Sequence, residues 1–470
     1  RALATSFVRR ERAPSTFSRS LRVLAFGHGA SGALGQGDLV DSAEPLLVEN
    51  LPENVTTIGC GHFHSLAVTS DGELWTWGRN HEKQLGHDGE SDFNPLVCDV
   101  PKRVTTLGGG TSSQVKSVSA SGVASFAVCE NGEAFSWGSS KRGQLGLGAG
   151  IVESETPRRI PCSFPIKSIS AGWGHAVGLA DTPNGEFLSW GYSAHGRLGY
   201  DHSYIQQSQE REGGASKITS TTLEDEETAA ACVWQPKEVA RLSGIKIVGA
   251  ACGADHTIAF SEWGAAFAFG DNSMNQLGTS REDQPGLAAE MIHLSEEYTG
   301  GKLQRVDSLD SNASNVIHSV LFPIPVKVES VACGYGHSLA IVKRCQDGSA
   351  LTSSAADQGF GEVNCVYSWG WDVFQGVQVG NPAPVQRFQG SGADAVLDPI
   401  RVAAGRVHSV ALTASGEVYT WGSSKNGRLG LDSFPNDAMV PQKVHLPEDL
   451  EVKRVVDVVA GYDHTLLLVE

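Results

Sequence analysis

Short apolar strands that end in Trp-Gly or Phe-Gly recur seven times in this 470-residue chain. They occupy residues 23–27, 74–78, 134–138, 187–191, 266–270, 366–370 and 418–422. Self-similarity at a period of about 50 residues is typical of solenoids and propellers, in which each repeat supplies one supersecondary unit. The repeats therefore indicate one repeat domain, in place of the three domains of about 150 residues that length alone suggests.

A second signature accompanies these strands and consists of an apolar strand, a glycine, two variable residues and a histidine. Six copies carry the histidine, at His64, His175, His256, His337, His408 and His464. The remaining copy, which we interpret as Gly122-Val123-Ala124-Ser125, lacks it. Asn-Gly and Asp-Gly pairs between the two signatures favour tight hairpin turns, so the flanking strands are expected to be antiparallel neighbours.

A Gly-Gln-Leu-Gly-like loop follows most of the Trp-Gly strands, as in Gly143-Gln144-Leu145-Gly146. Proline then marks an outer segment, because an outer strand need not donate every N–H group. We assign this outer position to Pro157, Pro236, Pro325, Pro399 and Pro441. Each repeat thus supplies about four strands, which is the content of one propeller blade.

These motifs resemble those of the regulator-of-chromosome-condensation repeat family, which joins the Trp-Gly strand, the Gly-Gln-Leu-Gly loop and the Gly-x-x-His strand. The resemblance covers residues 21–470 and implies an all-β, seven-bladed β-propeller. The chain begins with one blade strand, at 23–27, and ends with two, at 455–460 and 465–469. We therefore expect the N- and C-terminal strands to pair and close the ring, which removes exposed sheet edges.

The net charge and the lengths of the apolar runs argue against two classes of function. Lys and Arg number 36 against 53 Asp and Glu, a net charge of −17, so direct nucleic-acid binding by the propeller is disfavoured. The sequence contains no run of roughly 18 apolar residues, the length that a membrane-spanning helix needs. We therefore expect no direct insertion into a membrane.

Residues 1–20 form a basic leader that is rich in Arg and Ser and nearly free of acidic residues. This composition is typical of a mitochondrial transit peptide. A basic tail that contacts nucleic acid or chromatin is the competing interpretation, and the absence of Lys disfavours it. We expect a mitochondrial protein, with a nuclear or cytoplasmic location as the alternative.

Three segments interrupt the period of the propeller, at about residues 203–231, 279–322 and 344–362. The first is acidic, and the third expands a hairpin turn. Both solvated decoration and partner contact fit such insertions, because loops on rigid scaffolds tolerate insertion and often carry function.

No pattern in the sequence predicts a cofactor, a metal site or a catalytic residue. The nine cysteines include no Cys-x-x-Cys pair, and Cys60, Cys252 and Cys333 share one slot before a glycine, which suits thiols packed in a core. The six recurrent histidines are expected to meet the same structural need in every blade, as imidazoles hydrogen-bonded to the neighbouring backbone. We therefore expect a protein that is not an enzyme.

Four residues are candidates for contact with a partner: Asp255, His337, Asp463 and His464. The two aspartates are the acidic departures in the Gly-x-x-His turns. The best-known activity of the family is guanine-nucleotide exchange on the GTPase Ran, and the resemblance implies functional acids in the second and third turns. Those turns contain no Asp here. His337 and His464 match histidines of the family's fifth and seventh turns, but they also match the general repeat.

The recurrent tryptophans are expected to pack in the core or between blades. They are Trp77, Trp137, Trp190, Trp369 and Trp421. Some plant members of the family absorb ultraviolet-B light through tryptophans in repeated Gly-Trp-Arg-His-Thr sequences. The segment that comes near this pattern is Gly172-Trp173-Gly174-His175-Ala176, so a photoreceptor is disfavoured.

The sequence favours a non-enzymatic propeller scaffold for protein–protein interaction. Its resemblance to organellar members of the family implies support of mitochondrial RNA processing, such as intron splicing, or of respiratory-complex biogenesis. The alternative is a guanine-nucleotide exchange factor for a small Ras-like GTPase. The expected partner is accordingly a protein, either an RNA-processing factor or a small GTPase.

Overall fold

Seven four-stranded antiparallel sheets surround a central channel in the computed structural model, which confirms the predicted seven-bladed propeller. The structure describes residues 20–88, 96–108, 113–200, 232–279, 317–320, 322, 326–345, 362–372, 377–388, 397–431 and 436–470. Within these ranges, no helix is long and apolar enough to cross a membrane.

The strands follow one another in chain order, four to a blade, except in the last blade. Strands β1 (Arg22–Gly27) and β2 (Ser42–Leu47) belong to blade 7. Blade 1 contains β3 (Val55–Cys60), β4 (His64–Thr69), β5 (Leu74–Arg79) and β6 (Val97–Val104); blade 2 contains β7 (Val115–Ala120), β8 (Ala124–Cys129), β9 (Ala134–Ser139) and β10 (Glu153–Arg159); blade 3 contains β11 (Ile166–Ala171), β12 (His175–Ala180), β13 (Phe187–Tyr192) and β14 (Cys232–Glu238).

The remaining blades repeat this order. Blade 4 contains β15 (Ile247–Cys252), β16 (His256–Ser261), β17 (Ala266–Gly270) and β18 (His318–Ser319); blade 5 contains β19 (Lys327–Cys333), β20 (His337–Cys345), β21 (Glu362–Asp372) and β22 (Val377–Pro384); blade 6 contains β23 (Pro399–Ala404), β24 (His408–Thr413), β25 (Val418–Gly422) and β26 (Ala438–Lys443); blade 7 is completed by β27 (Val455–Ala460) and β28 (His464–Val469). Single 3-10 turns lie at Ala194–Gly196, Ala240–Leu242, Gln386–Phe388, Lys425–Gly427 and Glu448–Leu450.

The two ends of the chain close the ring, as the sequence predicts. Strand β1 pairs with β28 over six residues, from Arg22 opposite Val469 to Gly27 opposite His464. The order across blade 7 is β2-β1-β28-β27, so its two outer strands come from the N-terminus and its two inner strands from the C-terminus. An N-terminal strand thus fills the position that would otherwise be an open sheet edge.

The core lies between the faces of neighbouring blades rather than at one centre. One cluster joins Phe126 of blade 2, Trp190 of blade 3 and Phe269 of blade 4. Another joins Val23 and Leu466 of blade 7 to Trp77 of blade 1. Because each apolar face is buried against the next blade, the packing is repeated around the ring.

Two kinds of loop meet on one face of the propeller, which we call the His face. The Gly-x-x-His turns join inner to second strands, and the Gly-Gln-Leu-Gly loops join third to outer strands. In blade 1, His64 at the start of β4 pairs with Gly78 at the end of β5, which brings both loops to this face. The hairpin turns and the connections between blades lie on the opposite face.

The outer strands confirm three of the assigned prolines and correct a fourth. Pro157, Pro236 and Pro441 lie in the outer strands β10, β14 and β26. Pro399 instead begins the inner strand β23, so its assignment to an outer strand was wrong. The first residue of an inner strand is also a position where a missing N–H group is tolerated. Pro325 lies outside the described residues.

Most of the irregular segments lie outside the described residues, as does nearly all of the basic leader at 1–20. The expected insertion at 203–231 falls entirely there. From the insertion at 279–322, His318 and Ser319 form the short outer strand of blade 4. The limits of the third insertion, residues 344 and 362, belong to strands β20 and β21.

Candidate partner-binding face

The histidines of the Gly-x-x-His turns join six of the seven blades to the blade that follows. In every case Nε2 hydrogen-bonds with a Ser or Thr hydroxyl of the following blade. The pairs are His64–Ser125 (2.7 Å), His175–Thr257 (2.9 Å), His256–Ser338 (3.0 Å), His337–Ser409 (3.2 Å), His408–Thr465 (3.1 Å) and His464–Ser65 (3.0 Å). This common role confirms that the recurrent histidines meet one structural need, but the expected backbone partner was wrong, because each Nε2 atom bonds a side-chain hydroxyl group.

The tautomer of these imidazoles follows from the partners of the hydroxyl groups. Ser125 donates its own proton to the carbonyl oxygen of Gln84 at 2.7 Å, so His64 must donate from Nε2. The same carbonyl also accepts the Nε1–H of Trp137 at 2.8 Å. One loop carbonyl therefore binds both the hydroxyl and the indole of the next blade, which confirms that the recurrent tryptophans pack between blades.

Burial keeps these imidazoles neutral. Desolvation lowers the pKa of His64, His256 and His464 to about 3 and that of His337 to about 4. It also lowers the pKa of His175 and His408 well below the usual value. A neutral ring that donates from Nε2 is the form that the hydrogen-bond network requires.

The junction between blades 2 and 3 lacks this hydrogen bond on both sides. Ala124 pairs with Gly138 as His64 pairs with Gly78, so Ala124 occupies the histidine position and Ala176 the hydroxyl position of the next blade. Ser121 replaces the glycine. The register therefore corrects our interpretation of this turn by one residue, to Ser121-Gly122-Val123-Ala124.

The glycine is replaced where the histidine is absent, and the structure gives the reason. A Cβ atom on Gly61 would lie 2.3 Å from Cε1 of His64 and 2.4 Å from the carbonyl oxygen of Ser121. Without an imidazole in blade 2, Ser121 carries its side chain and bonds the backbone of Ala124 instead. Both alanines of this junction join the apolar cluster of blades 2 to 4.

The two candidate aspartates form ion pairs with buried arginines of the preceding blade. Asp255 pairs with Arg197, and Asp463 lies 2.8 Å from Arg428. The two arginines replace the glutamine in the Gly-Gln-Leu-Gly loops of blades 3 and 6. Asp463 also accepts from Arg406 at 2.8 Å and is buried, whereas 37% of the Asp255 side chain is exposed.

All four candidate residues thus lie in Gly-x-x-His turns around the central channel. His337 and His464 belong to the hydrogen-bond network between blades, and His464 is buried. Asp255 differs from them, because 37% of its side chain is exposed and its carboxylate is accessible from the His face.

Four aromatic side chains, which sequence reasoning missed, meet over the mouth of the channel. We call His62, Trp173, Tyr335 and Tyr462 the aromatic centre. His62 stacks on Tyr462 with ring centroids 4.7 Å apart, and Trp173 lies 5.7 Å from His62 and 6.2 Å from Tyr335. The Tyr335 and Tyr462 rings are 6.5 Å apart. Trp173 remains 44% exposed despite these contacts.

The signal for this cluster was present in the sequence. Each of the four residues is the first variable residue of its Gly-x-x-His turn, in blades 1, 3, 5 and 7. The same position of one turn is brought close to that of every other turn at the mouth of a propeller. Comparing the turns at that one position would have predicted the cluster.

Arginines stack on aromatic rings around this centre. Arg406 lies 4.7 Å over the Tyr462 ring, Arg142 lies 4.5 Å over Tyr192, and Arg79 lies 5.3 Å over Phe63. Further out on the same face, exposed aliphatic residues lie just before outer strands: Leu39, Val40, Leu96 and Val152. Tyr, Trp and Arg are the residues most enriched among the energetic anchors of protein interfaces.

The thiols of the channel wall are packed as expected. Cys252 and Cys333 donate to the carbonyl oxygens of Ser170 and Ala251 in the preceding blades. Burial raises the pKa of Cys252 to about 12, so its thiol stays protonated. In the part of the chain that the structure describes, no group of three or more His, Cys, Asp or Glu side chains could hold a metal ion.

Two known plant proteins are similar to this chain in sequence over most of its length. The ultraviolet-B receptor UVR8 of Arabidopsis thaliana is 26% identical over 419 residues, covering 87% of this chain and 74% of the receptor. The mitochondrial RCC1 domain-containing protein RUG3 of Arabidopsis thaliana is 25% identical over 482 residues, covering 96% of this chain and 89% of RUG3.

A solved structure shows the same fold. The crystal structure of Prp20p from Saccharomyces cerevisiae, a protein with binding properties to Gsp1p and histones, superposes with a TM-score of 0.68. It is 21% identical in sequence, and the match covers 96% of this chain and 92% of that one. The sequence profile of the RCC1-like domain matches residues 22–467, from β1 to β28. The seven blades, the closed ring and this match together show that the chain belongs to the RCC1-like domain family.

Proposed function

We propose that this protein is a non-enzymatic scaffold that binds a protein partner through the His face. The observation that carries the proposal is the aromatic centre, which leaves Trp173 44% exposed at the middle of a rigid ring. Aromatic anchors surrounded by arginine stacks and exposed aliphatic side chains provide apolar area at little entropic cost. The hydrogen bonds between blades hold these turns in place before a partner binds.

We place this activity in mitochondria, in support of RNA processing, such as intron splicing, or of respiratory-complex biogenesis. The near full-length similarity to mitochondrial RUG3 and the arginine-rich residues 1–20 support this placement. With a net charge of −17, the protein is expected to contact RNA through a basic partner protein.

A reporter fusion tests the location. Residues 1–20, fused to the N-terminus of a fluorescent protein, should carry it into mitochondria. Replacing Arg9, Arg10 and Arg12 by Ala should weaken import, because the positive charge of the leader falls. Nuclear accumulation of the reporter would contradict the mitochondrial placement.

Affinity capture from purified mitochondria tests the binding face. The wild-type protein, the double variant Trp173→Ser/Tyr335→Ser and the control variant Asn184→Ala should be compared, with recovered protein and RNA identified. Asn184 is exposed in a hairpin turn on the opposite face. We expect the double variant alone to lose the partner while keeping the circular dichroism spectrum of the wild type. Equal recovery by all three proteins would refute the assignment of the His face.

A guanine-nucleotide exchange factor for a small Ras-like GTPase is the second candidate, supported by the exposed carboxylate of Asp255 on the His face. The candidate residues for that activity are Asp255, His337, Asp463 and His464. Release of labelled GDP from a panel of small GTPases decides between the two functions. Acceleration by the wild type would favour exchange over the scaffold, and no acceleration would count against exchange.

A further inference from the structure

The aromatic centre has an acidic side, formed where blades 3, 4 and 5 meet. The backbone N–H of Trp173 donates to the carbonyl oxygen of Ala254 at 3.2 Å, which places Asp255 beside the indole-bearing turn. The N–H of Ala254 donates in turn to Gly334 at 3.3 Å, next to Tyr335. Asp271 lies next to Asp255, because the backbone N–H of Asp271 donates to the carbonyl oxygen of Asp255 at 2.8 Å.

This side carries more carboxylate groups than arginine side chains that pair with them. Asp255 pairs with Arg197, whose side chain is 4% exposed. Asp271 accepts hydrogen bonds from the Ser273 hydroxyl at 2.6 Å and from Gln276 at 2.9 Å. Burial opposes ionisation of Asp271, but these hydrogen bonds outweigh it and lower its pKa. Two carboxylates against one guanidinium leave a negative charge beside two aromatic rings.

The other side of Trp173 is basic. Arg142 stacks on Tyr192 there, and its Cδ lies 3.8 Å from the position of a Cβ on Gly174, the residue after Trp173. The acidic surface is therefore confined to the blade 4 and blade 5 side of the indole. This polarity distinguishes one part of the aromatic centre from the rest.

We propose that Trp173, Tyr335, Asp255 and Asp271 form a receptor for an arginine side chain of the partner protein. This inference rests on the proposed function, because it names the chemistry of the partner at the same face. A guanidinium plane is attracted by the face of Trp or Tyr and donates to carboxylates in a fixed fork, and arginine is the side chain that does both. Carboxylates beside the rings repel phosphate, so a nucleic acid fits this site poorly.

Short peptides that differ in one charge test the proposal. We would titrate the full chain with an acetylated, amidated Gly-Ser-Arg-Ser-Gly peptide and with the same peptide carrying citrulline, the neutral isostere of arginine. Binding up to about 5 mM is followed by the indole NMR signals of the protein, since single-residue contacts give millimolar affinities. We expect the arginine peptide to bind about tenfold more tightly than the citrulline peptide.

Two variants and one control locate the binding. Trp173→Leu and Asp271→Asn should each bring the two peptides to within about threefold of one another, because each removes one of the two attractions. Asn184→Ala should keep the full difference. Asp255→Asn is not used, because it would leave the buried Arg197 without its carboxylate.

Several outcomes would overturn the inference: equal affinity of the two peptides for the wild type, no binding of either peptide, or a preference for arginine that stays at about tenfold in Trp173→Leu. Tight binding of a single-stranded RNA oligonucleotide that depends on Trp173 would also overturn it, in favour of a base-stacking site. Loss of partner capture in the Trp173→Ser/Tyr335→Ser variant, together with failure of the peptides, would leave the docking face in place and remove the arginine receptor alone.

Discussion

Lowering the pH should unfold this propeller at mildly acidic values, because its blades are joined through neutral imidazoles. Five of these histidines are fully buried: His64, His175, His256, His408 and His464. In four of them, His64, His175, His256 and His408, the Nδ1 atom is buried without a hydrogen-bond partner. A proton added there would charge a ring that has no acceptor to receive it.

The sign and size of the effect follow from linkage. In the unfolded chain a histidine has a pKa of about 6.5, whereas desolvation holds the pKa of the buried rings at about 3 in the three cases with a value, His64, His256 and His464. The unfolded state therefore binds more protons between these values, and the stability present above pH 6.5 is lost as the pH falls toward 3. From pH 7 to pH 5.5, each buried histidine costs about 1.2 kcal/mol, and the five together cost about 6 kcal/mol.

Urea denaturation at constant ionic strength, repeated from pH 8 to pH 5, measures this dependence. Near pH 6 these five histidines alone should lower the free energy of unfolding by about 5 kcal/mol per pH unit, which corresponds to uptake of about four protons on unfolding. Total stabilities of about 5–15 kcal/mol are usual for folded proteins, so the native state should be largely lost near pH 5.

Two single variants provide the control. His408→Gln, which removes one buried titrating ring, should reduce the slope by about one proton, or about 1 kcal/mol per pH unit near pH 6. His445→Gln replaces a histidine on the exposed surface and serves as the matched control for the replacement of a histidine by glutamine. A stability that differs by less than about 1 kcal/mol between pH 7 and pH 5.5 would refute the reasoning.

Three further predictions concern the seams between blades. Deletion of residues 21–27 should lower thermal stability and the monomer fraction, because β28 loses its six-residue ladder with β1; unchanged values would show that the ends do not pair. In a double-mutant cycle, His64→Ala and Ser125→Ala should couple by about 0.5–1.5 kcal/mol, and additive effects would contradict the hydrogen bond. Asp463→Asn leaves the buried Arg428 without its carboxylate and should lower the free energy of unfolding by about 3–5 kcal/mol. The loss should exceed that of Asp255→Asn, because the side chain of Asp255 is exposed to water; equal losses in urea denaturation would contradict this ranking.

The fold was predictable from the sequence because each blade repeats the same local requirements. The Trp-Gly strands, hairpin turns and Gly-x-x-His turns set the strand order, and the incomplete blades at the two ends predicted closure. The error in the turn of blade 2 came where one of these local requirements, the histidine, was missing. Without the imidazole, Ser121 could stand in the glycine position, and the pattern then aligned on Gly122 instead.

The candidate site was harder to predict, because its residues occupy positions that vary between blades. Asp255 and Asp463 stood out as acidic departures, but the arginines that pair with them lie about 60 and 35 residues earlier, in a different loop. The aromatic centre joins turns that are up to 400 residues apart, from His62 to Tyr462. Such contacts arise from ring closure, so the cluster becomes visible when the same position is compared across all the turns, and the spacing within one repeat carries no signal for it.

Site-specific photocrosslinking in mitochondria tests the central claim, that the His face binds the partner, most directly. Benzoylphenylalanine would replace Trp173 on the His face or Asn184 on the opposite face, and crosslinked proteins would be identified by mass spectrometry. The account predicts one recurrent protein crosslinked from position 173 and none from position 184. Crosslinks that form from position 184 and not from position 173 would contradict it.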